Sequence, residues 1–183
     1  RALGEYKKGV TKTSRMVLPF AGEIADQLLT HMKKCKDVLQ ISTLGSLRRQ
    51  KETVGDVDLA VASSDPKSVL DHFISYPYVE RVIEKGDASA SILVSGGKHI
   101  DLMVQPPEAF GSLLQHFTGS KAHNIKLREL ALKKGFSLSE YGIKHVNSDE
   151  ERKEFASEEK FYNFLGLSWI PPEIREDTGE VEL

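Results

Sequence analysis

Cysteine is nearly absent: Cys35 is the only one in 183 residues. A single thiol excludes an internal disulfide and a thiolate-based zinc site, and it suits a reducing, cytoplasmic setting. Cys35 reads as a bystander near a helix end. No apolar run approaches the length of a membrane span and no secretory leader opens the chain, so a membrane partner is not expected. Internal repeats and low-complexity tracts are also missing. The chain begins at Arg1, which reads as a piece of something longer. What remains is 39% hydrophobic residues, enough for the core of one ordinary domain, or of one domain and a small lobe.

The net charge of -2 conceals an uneven distribution. Residues 1–50 carry ten lysines and arginines against four acids, whereas residues 149–183 carry four against eleven. Between 112 and 134, Lys121, Lys126, Arg128, Lys133 and Lys134 face only Glu129. Basic faces beside an acidic centre suit an enzyme acting on nucleic acid, whose phosphates need local neutralisation.

The periodicity predicts an α+β fold. A polar lead-in covers residues 1–13, and a helix follows from Arg15 to about Cys35, with Ser14 as N-cap, Pro19 in its first turn and a stripe of Val17, Phe20, Ile24, Leu28 and Met32. Strands are expected at Val38–Thr43, Asp56–Ala62, Val79–Lys85, Ala88–Ser95 and His99–Val104, with hairpin turns at Gly86-Asp87 and Gly96-Gly97. Pro66 opens a helix to about Ser75. After Pro106-Pro107 come helices at Glu108–Phe117 and, capped by Ser120, to Lys134. A small hairpin follows, then a helix over Glu150–Leu165, an extended Trp169-Ile170-Pro171-Pro172 and a linker over 174–183.

The chemistry concentrates at Gly45-Ser46-Leu47-Arg48-Arg49 and Gly55-Asp56-Val57-Asp58. Aspartates two apart on a strand share a face, so Asp56 and Asp58 can reach one centre. Converging carboxylates suit a hard divalent cation such as Mg²⁺, completed by substrate phosphates. The Gly-Ser turn offers backbone N–H groups, a hydroxyl and a guanidinium to those phosphates. Asp101, among the apolar residues of His99–Val104, supplies a third acid if its strand neighbours the first, as two-metal phosphoryl transfer requires. His99, two residues before Asp101 on the same face, is read either as a hydrogen-bond partner of that carboxylate or as exposed. Asn124 and Arg128 share one helix face.

Together, Gly45-Ser46-x-Arg48-Arg49, Gly55-Asp56-x-Asp58, Ile100-Asp101 and Phe117-Thr118-Gly119-Ser120 with Asn124 and Arg128 resemble the family X DNA polymerases, of the polymerase beta-like type and nearest the bacterial members. The resemblance spans residues 14–173. It implies a nucleotidyltransferase palm over 14–107, a mixed sheet with helices on one face, and a small α+β thumb over 108–173. It implies that Asp56, Asp58 and Asp101 bind two Mg²⁺ ions, with Mn²⁺ as a substitute, and that Gly45, Ser46, Arg49, Gly55 and Arg15 hold the triphosphate of a dNTP. His116, Phe117, Thr118 and Gly119 would line the sugar pocket, Asn124 would touch the incoming base, and Arg128, Lys121 and Lys126 would face the DNA. The implied activity is template-directed addition of dNMP to a primer 3′-OH in short-gap repair, by a monomer on gapped or primer-template DNA.

Departures accompany the match. His116 stands where better-known relatives have tyrosine, His99 replaces an arginine, and Val54 lacks a hydroxyl found in some. The N-terminal helix-hairpin-helix regions and the C-terminal PHP-type domain of the family are not in these residues. Two other readings stand beside the first: a nucleotidyltransferase of the same superfamily acting without a template or on RNA, protein or a small molecule, and a DNA-binding module with a residual active site.

Overall fold

The computed structural model describes residues 15–147 and 150–182. The lead-in 1–13 and the Ser14 cap lie outside them. The chain opens with β1 (Met16–Val17), which pairs with β3 (Thr53–Val54), and only then enters α1 (Leu18–Met32). Leu18 N–H donates to Glu52 O at 3.0 Å, so the expected helix start is displaced by strand pairing. Pro19 does sit in the first turn. The buried stripe of α1 is Ala21, Ala25, Leu28 and Met32, while Val17 and Phe20 are exposed. Small residues on that stripe let the helix lie close to the sheet.

Five strands form one mixed sheet in the order β2 (Gln40–Thr43), β4 (Val57–Ala62), β7 (Lys98–Gln105), β6 (Ser89–Val94) and β5 (Val79–Lys85). β4 and β7 run parallel, in the register Asp58↔Asp101; the other pairs are antiparallel. Between β2 and β3 lies α2 (Gly45–Arg48), a single helical turn. α3 (Pro66–Ile74) is capped by the Asp65 carboxylate, which accepts from Ser68 N–H at 3.0 Å. α1 and α3 cover one face of the sheet, packing on Val57, Leu59, Val61, Ile92, Ile100, Leu102 and Val104. The aspartate strand is therefore core-packed where its alternation predicts.

Its other face is covered too. Ala60 and Ala62 pack against Leu44 and against Phe110 and Leu113 of α4 (Phe110–Thr118). Alternation along β4 thus places Asp58 on the α4 side, at the strand's N-terminal end, just beyond the alanines.

The second lobe gathers α5 (Lys121–Lys133), the hairpin β8 (Phe136–Ser139)–β9 (Gly142–His145) and α6 (Glu158–Phe164). Its core is Leu127, Ala131, Ile143, Phe155, Phe161, Tyr162, Leu165, Ile170 and Val181. Two expectations need correction here. The helix expected from Glu150 begins only at Glu158, because Lys153 bridges to Ile143 and Phe155 O accepts from Gly111 and Ser112 N–H at 2.8 and 3.2 Å. Those bonds satisfy the first amides of α4, which has no side-chain cap. The tail beyond 174 is not a free linker: Val181 joins the core, and buried Glu180 Oε1 lies 2.7 Å from His123 Nδ1. Among the described residues no helix is long and apolar enough to cross a membrane.

Two outcomes follow from this packing. A Cβ on Gly111 would lie 2.2 Å from the Ser157 carbonyl carbon. Alanine favours a helix by about 1 kcal/mol over glycine, but overlap with backbone outweighs that, and Gly111→Ala is expected to lose about 3 kcal/mol in urea unfolding. The second concerns acid. Burial would raise Glu180, but its bonds to His123 and to the Asp177 and Thr178 amides hold it at about 2, below the usual 4.5; burial lowers His123 from 6.5. Both groups take up protons more readily when unfolded, so their stabilisation is present near neutrality and is lost as pH falls, from about 6.5 for His123 and from 4.5 towards 2 for Glu180. The urea midpoint should fall with pH over that span, and Glu180→Gln should reduce the slope.

Candidate active site

The in-register pairing of β4 with β7 puts Asp58 and Asp101 on adjacent parallel strands. Burial first, then the charges of Asp101 and Asp56, push Asp58 up to about 7. Asp56 lies in the bend before β4, exposed, rather than within the strand. Ser91, directly across from Asp101 on β6, donates its hydroxyl to Asp101 Oδ1. The supporting role considered for His99 therefore falls to Ser91. Gly45 (φ +57°) backs the pair: a Cβ there would meet Asp58 Oδ2 at 2.6 Å. Leu44 N–H, next to it, donates to Asp58 O at 2.8 Å.

Among the described residues, no three His, Cys, Asp or Glu side chains form a preassembled metal cage. The donor set still fits a hard cation. It consists of carboxylate oxygens alone, and Asp58 is held part-protonated near neutrality by burial and its neighbours' charge, a strain that a cation relieves. Asp56, Asp58 and Asp101 are the residues that would hold it.

Ser46, the residue after the Gly45 that backs Asp58, lines a cavity of about 630 Å³ together with Arg15, Arg49, Gln50, Lys51, Glu52, Thr53 and Glu173. It brings together the Ser46, Arg49 and Arg15 singled out from sequence. Arg15 Nε donates to Thr53 Oγ1 at 2.8 Å, and Gly55 lies beside the Arg15 guanidinium. Lys51 and Glu173 were not anticipated. Lys51 continues the basic run Arg48-Arg49, which was the available signal; Glu173 had none, because it arrives from the far end of the chain.

The two arginines meet at Thr118 and part beyond it. Arg48 donates from Nη1 to Thr118 Oγ1 and forks onto Glu158 at 3.0 and 2.6 Å. Arg175, fully buried, donates to the same carboxylate at 2.6 Å and to Ile170 O at 2.9 and 2.7 Å. Burial would raise Glu158, yet the bonds and charges of Arg48 and Arg175 prevail and hold it below the usual carboxylate range. Arg49 Nε donates to Glu176 Oε1 at 2.9 Å and its Nη1 to Thr118 O.

Thr118 and Gly119 thus sit against Arg49, and the Gly119–Ser120 peptide is cis. Ser120 caps α5, accepting from His123 N–H at 3.2 Å. His116 and Phe117 lie ring against ring at 4.7 Å. Burial foremost, with Arg128, lowers His116 despite Glu140. Asn124 Nδ2 donates to His116 O at 2.7 Å. Lys121 and Arg128 are exposed on α5, whereas Lys126 pairs with Glu182 of the tail at 3.6 Å.

Comparison with known proteins accords with this geometry. Residues 20–99 match the family model for the DNA polymerase beta palm, and residues 113–176 match that for the DNA polymerase beta thumb. The chain is 39% identical over 184 residues to a DNA polymerase/3′-5′ exonuclease PolX of Bacillus subtilis, covering all of this chain and 32% of that protein. It is 29% identical over 190 residues to DNA polymerase lambda of Rattus norvegicus, covering 88% of this chain and 33% of that protein. A repair DNA polymerase X of African swine fever virus is 26% identical over 148 residues, covering 74% of this chain and 80% of that protein. The chain therefore spans about a third of the first two relatives.

Gly45→Ala tests how closely the acids are held. With Asp58 Oδ2 displaced and a positive φ imposed on alanine, Mg²⁺ affinity by titration calorimetry is expected to fall about ten-fold, roughly the worth of one misplaced charged contact. Unchanged affinity with native circular dichroism would show that the carboxylate swings aside freely.

Proposed function

We propose, starting from the membership of this chain in the family X DNA polymerases, that it transfers dNMP from a dNTP to a primer 3′-OH under direction of a template, in short-gap DNA repair. The observation that carries this reading is the in-register pairing of Asp58 with Asp101, joined through the Gly45-Ser46 turn to a cavity lined by Arg15, Ser46, Arg49 and Lys51. Acids for cations and a basic, hydroxyl-bearing cavity for a triphosphate are what phosphoryl transfer asks of a protein, since it needs charge neutralisation and alignment more than covalent help.

In this mechanism two Mg²⁺ ions, or Mn²⁺, held by Asp56, Asp58 and Asp101, would neutralise the phosphates and activate the hydroxyl. Ser91 holds one oxygen of Asp101 and leaves the other for a ligand. Ser46, Lys51, Arg15 and Arg49 bind the β- and γ-phosphates. The bond from the primer oxygen to the α-phosphorus forms as the α–β phosphoanhydride breaks, and pyrophosphate leaves towards the cavity. His116 to Gly119 line the sugar site, with His116 neutral; Asn124 contacts the base, and Arg128 and Lys121 face the DNA. Lys126 contributes only where Glu182 releases it.

Residues 14–107 act as palm and 108–173 as thumb, and the tail to 182 braces the thumb. The full protein is a cytoplasmic monomer joining this unit to helix-hairpin-helix and PHP-type domains; the third of the relatives' length matched here leaves room for them.

Single-nucleotide insertion into a one-nucleotide gap, with each dNTP offered separately, tests the reading. Only the complementary nucleotide should be inserted, and Asp101→Ala should lower insertion at least about a thousand-fold, corresponding to several kcal/mol of charge stabilisation. Insertion that ignores the template would point to an untemplated transferase. Wild-type activity in Asp101→Ala would remove the acid from the chemistry.

A further inference from the structure

Asn124 is fixed by two hydrogen bonds whose directions are dictated by its surroundings. His116 O is a backbone carbonyl and can only accept, so the Asn124 amide must present Nδ2 to it, at 2.7 Å. Oδ1 is then turned towards Gln115, which must present its own amide nitrogen; Nε2 of Gln115 lies 2.9 Å from Asn124 Oδ1. One carbonyl therefore sets the orientation of both amides.

Gln115 is buried on α4. The polar groups of the second lobe's core nearby are themselves ordered. Tyr162 Oη lies 2.9 Å from His123 Nε2, and His123 Nδ1 lies 2.7 Å from Glu180 Oε1. Glu180 is ionised and can only accept, so the His123 proton sits on Nδ1. Nε2 then accepts from Tyr162, so the tyrosine proton is committed to His123 and does not compete for Asn124 Oδ1.

We infer that Gln115 is a positioning residue, which fixes the Asn124 amide with one uncommitted N–H available to a nucleotide. The inference rests on the reading that Asn124 faces the incoming base. Gln115 itself touches no reacting group. Leucine or methionine would fill its volume but leave Asn124 Oδ1 without its donor, and that bond accounts for a buried glutamine here.

The test is a double-mutant cycle between Gln115→Met and Asn124→Ala, read as kcat/KM for correct insertion into a one-nucleotide gap by the 183-residue chain. Gln115→Met is expected to lower kcat/KM about five- to ten-fold, mostly through KM, as for loss of one buried neutral hydrogen bond. In the Asn124→Ala background it should cost nothing further. Gln115→Glu, nearly the same shape but presenting only acceptors to Asn124 Oδ1, should be worse than methionine. An equal penalty in both backgrounds, no penalty in the wild type, or glutamate outperforming methionine would each overturn the inference. Should Gln115→Met fail to fold, Gln115→Asn, which withdraws the same amide by one methylene, takes its place in the cycle. If Asn124→Ala itself leaves insertion unchanged, or the chain shows no turnover, the base-contact reading fails separately. The positioning role is then decided by the Asn124 side-chain amide resonances, which should shift in Gln115→Met and, if unmoved, overturn it.

Discussion

Parallel pairing of β4 with β7 is the constraint from which the site follows. Parallel neighbours cannot be joined by a tight turn; here the connection from Ala62 to Lys98 runs through α3, β5 and β6. That long connection is what allows residues 58 and 101 to stand opposite each other. Alternation then sends Leu59, Val61, Leu102 and Val104 into the core under α1 and α3, while the acids face the other way. Burial and charge density at Asp58 are a consequence of the same register. The fold stabilises itself through one face of the strand pair and carries its acids on the other.

The second lobe is held to this sheet by a buried ionic node. Glu158, at 3% exposure, is gripped by Arg48 from the motif helix and by Arg175 from the tail. A buried and a partly buried cation on one carboxylate, each hydrogen-bonded, meet the condition under which a buried ion pair is tolerated. Neither lobe contains the whole node. The neighbouring arginine shares Thr118 with it, Arg48 bonding the hydroxyl and Arg49 the carbonyl, and beyond that point the labour divides: Arg48 reaches Glu158 and fastens the lobes together, and Arg49 lines the cavity. Glu176, bonded to Arg49, and Glu180, bonded to His123, make the tail part of this arrangement.

Much of this was legible beforehand. The α+β character, the positions of the sheet strands and the Asp65-Pro66 and Ser120 helix starts all depend on short-range chemistry: alternation, caps and turn residues. The grouping of Ser46, Arg49 and Arg15 follows from the family resemblance instead, and alternation alone does not say which strands become neighbours. Where the reading missed, a distant partner decided. Met16 and Val17 continue an apolar stripe at helical spacing, but Thr53 and Val54 offer them strand bonds. Residues 150–157 are rich in helix formers, yet Lys153 and Phe155 give their backbone groups to Ile143, Gly111 and Ser112. Ser91 was missed for a subtler reason. A two-residue Gly96-Gly97 turn would set it opposite Leu102, but the loop takes in Ser95, and the register moves by one to Asp101.

The sequence by itself determined which chemistry is present: three aspartates, a Gly-Ser-Arg-Arg turn and a Phe-Thr-Gly-Ser helix start, each a local pattern with its own physical logic. Tertiary structure decided which of these groups serve the site and which serve the frame. It took Arg48 for the node and left Arg49 at the cavity, gave Asp101 its hydroxyl from Ser91 and set Asn124 through Gln115. It also drew the tail into the core. Each of those choices depends on a partner far along the chain, and local patterns of charge and polarity carry no record of which distant group a side chain will meet.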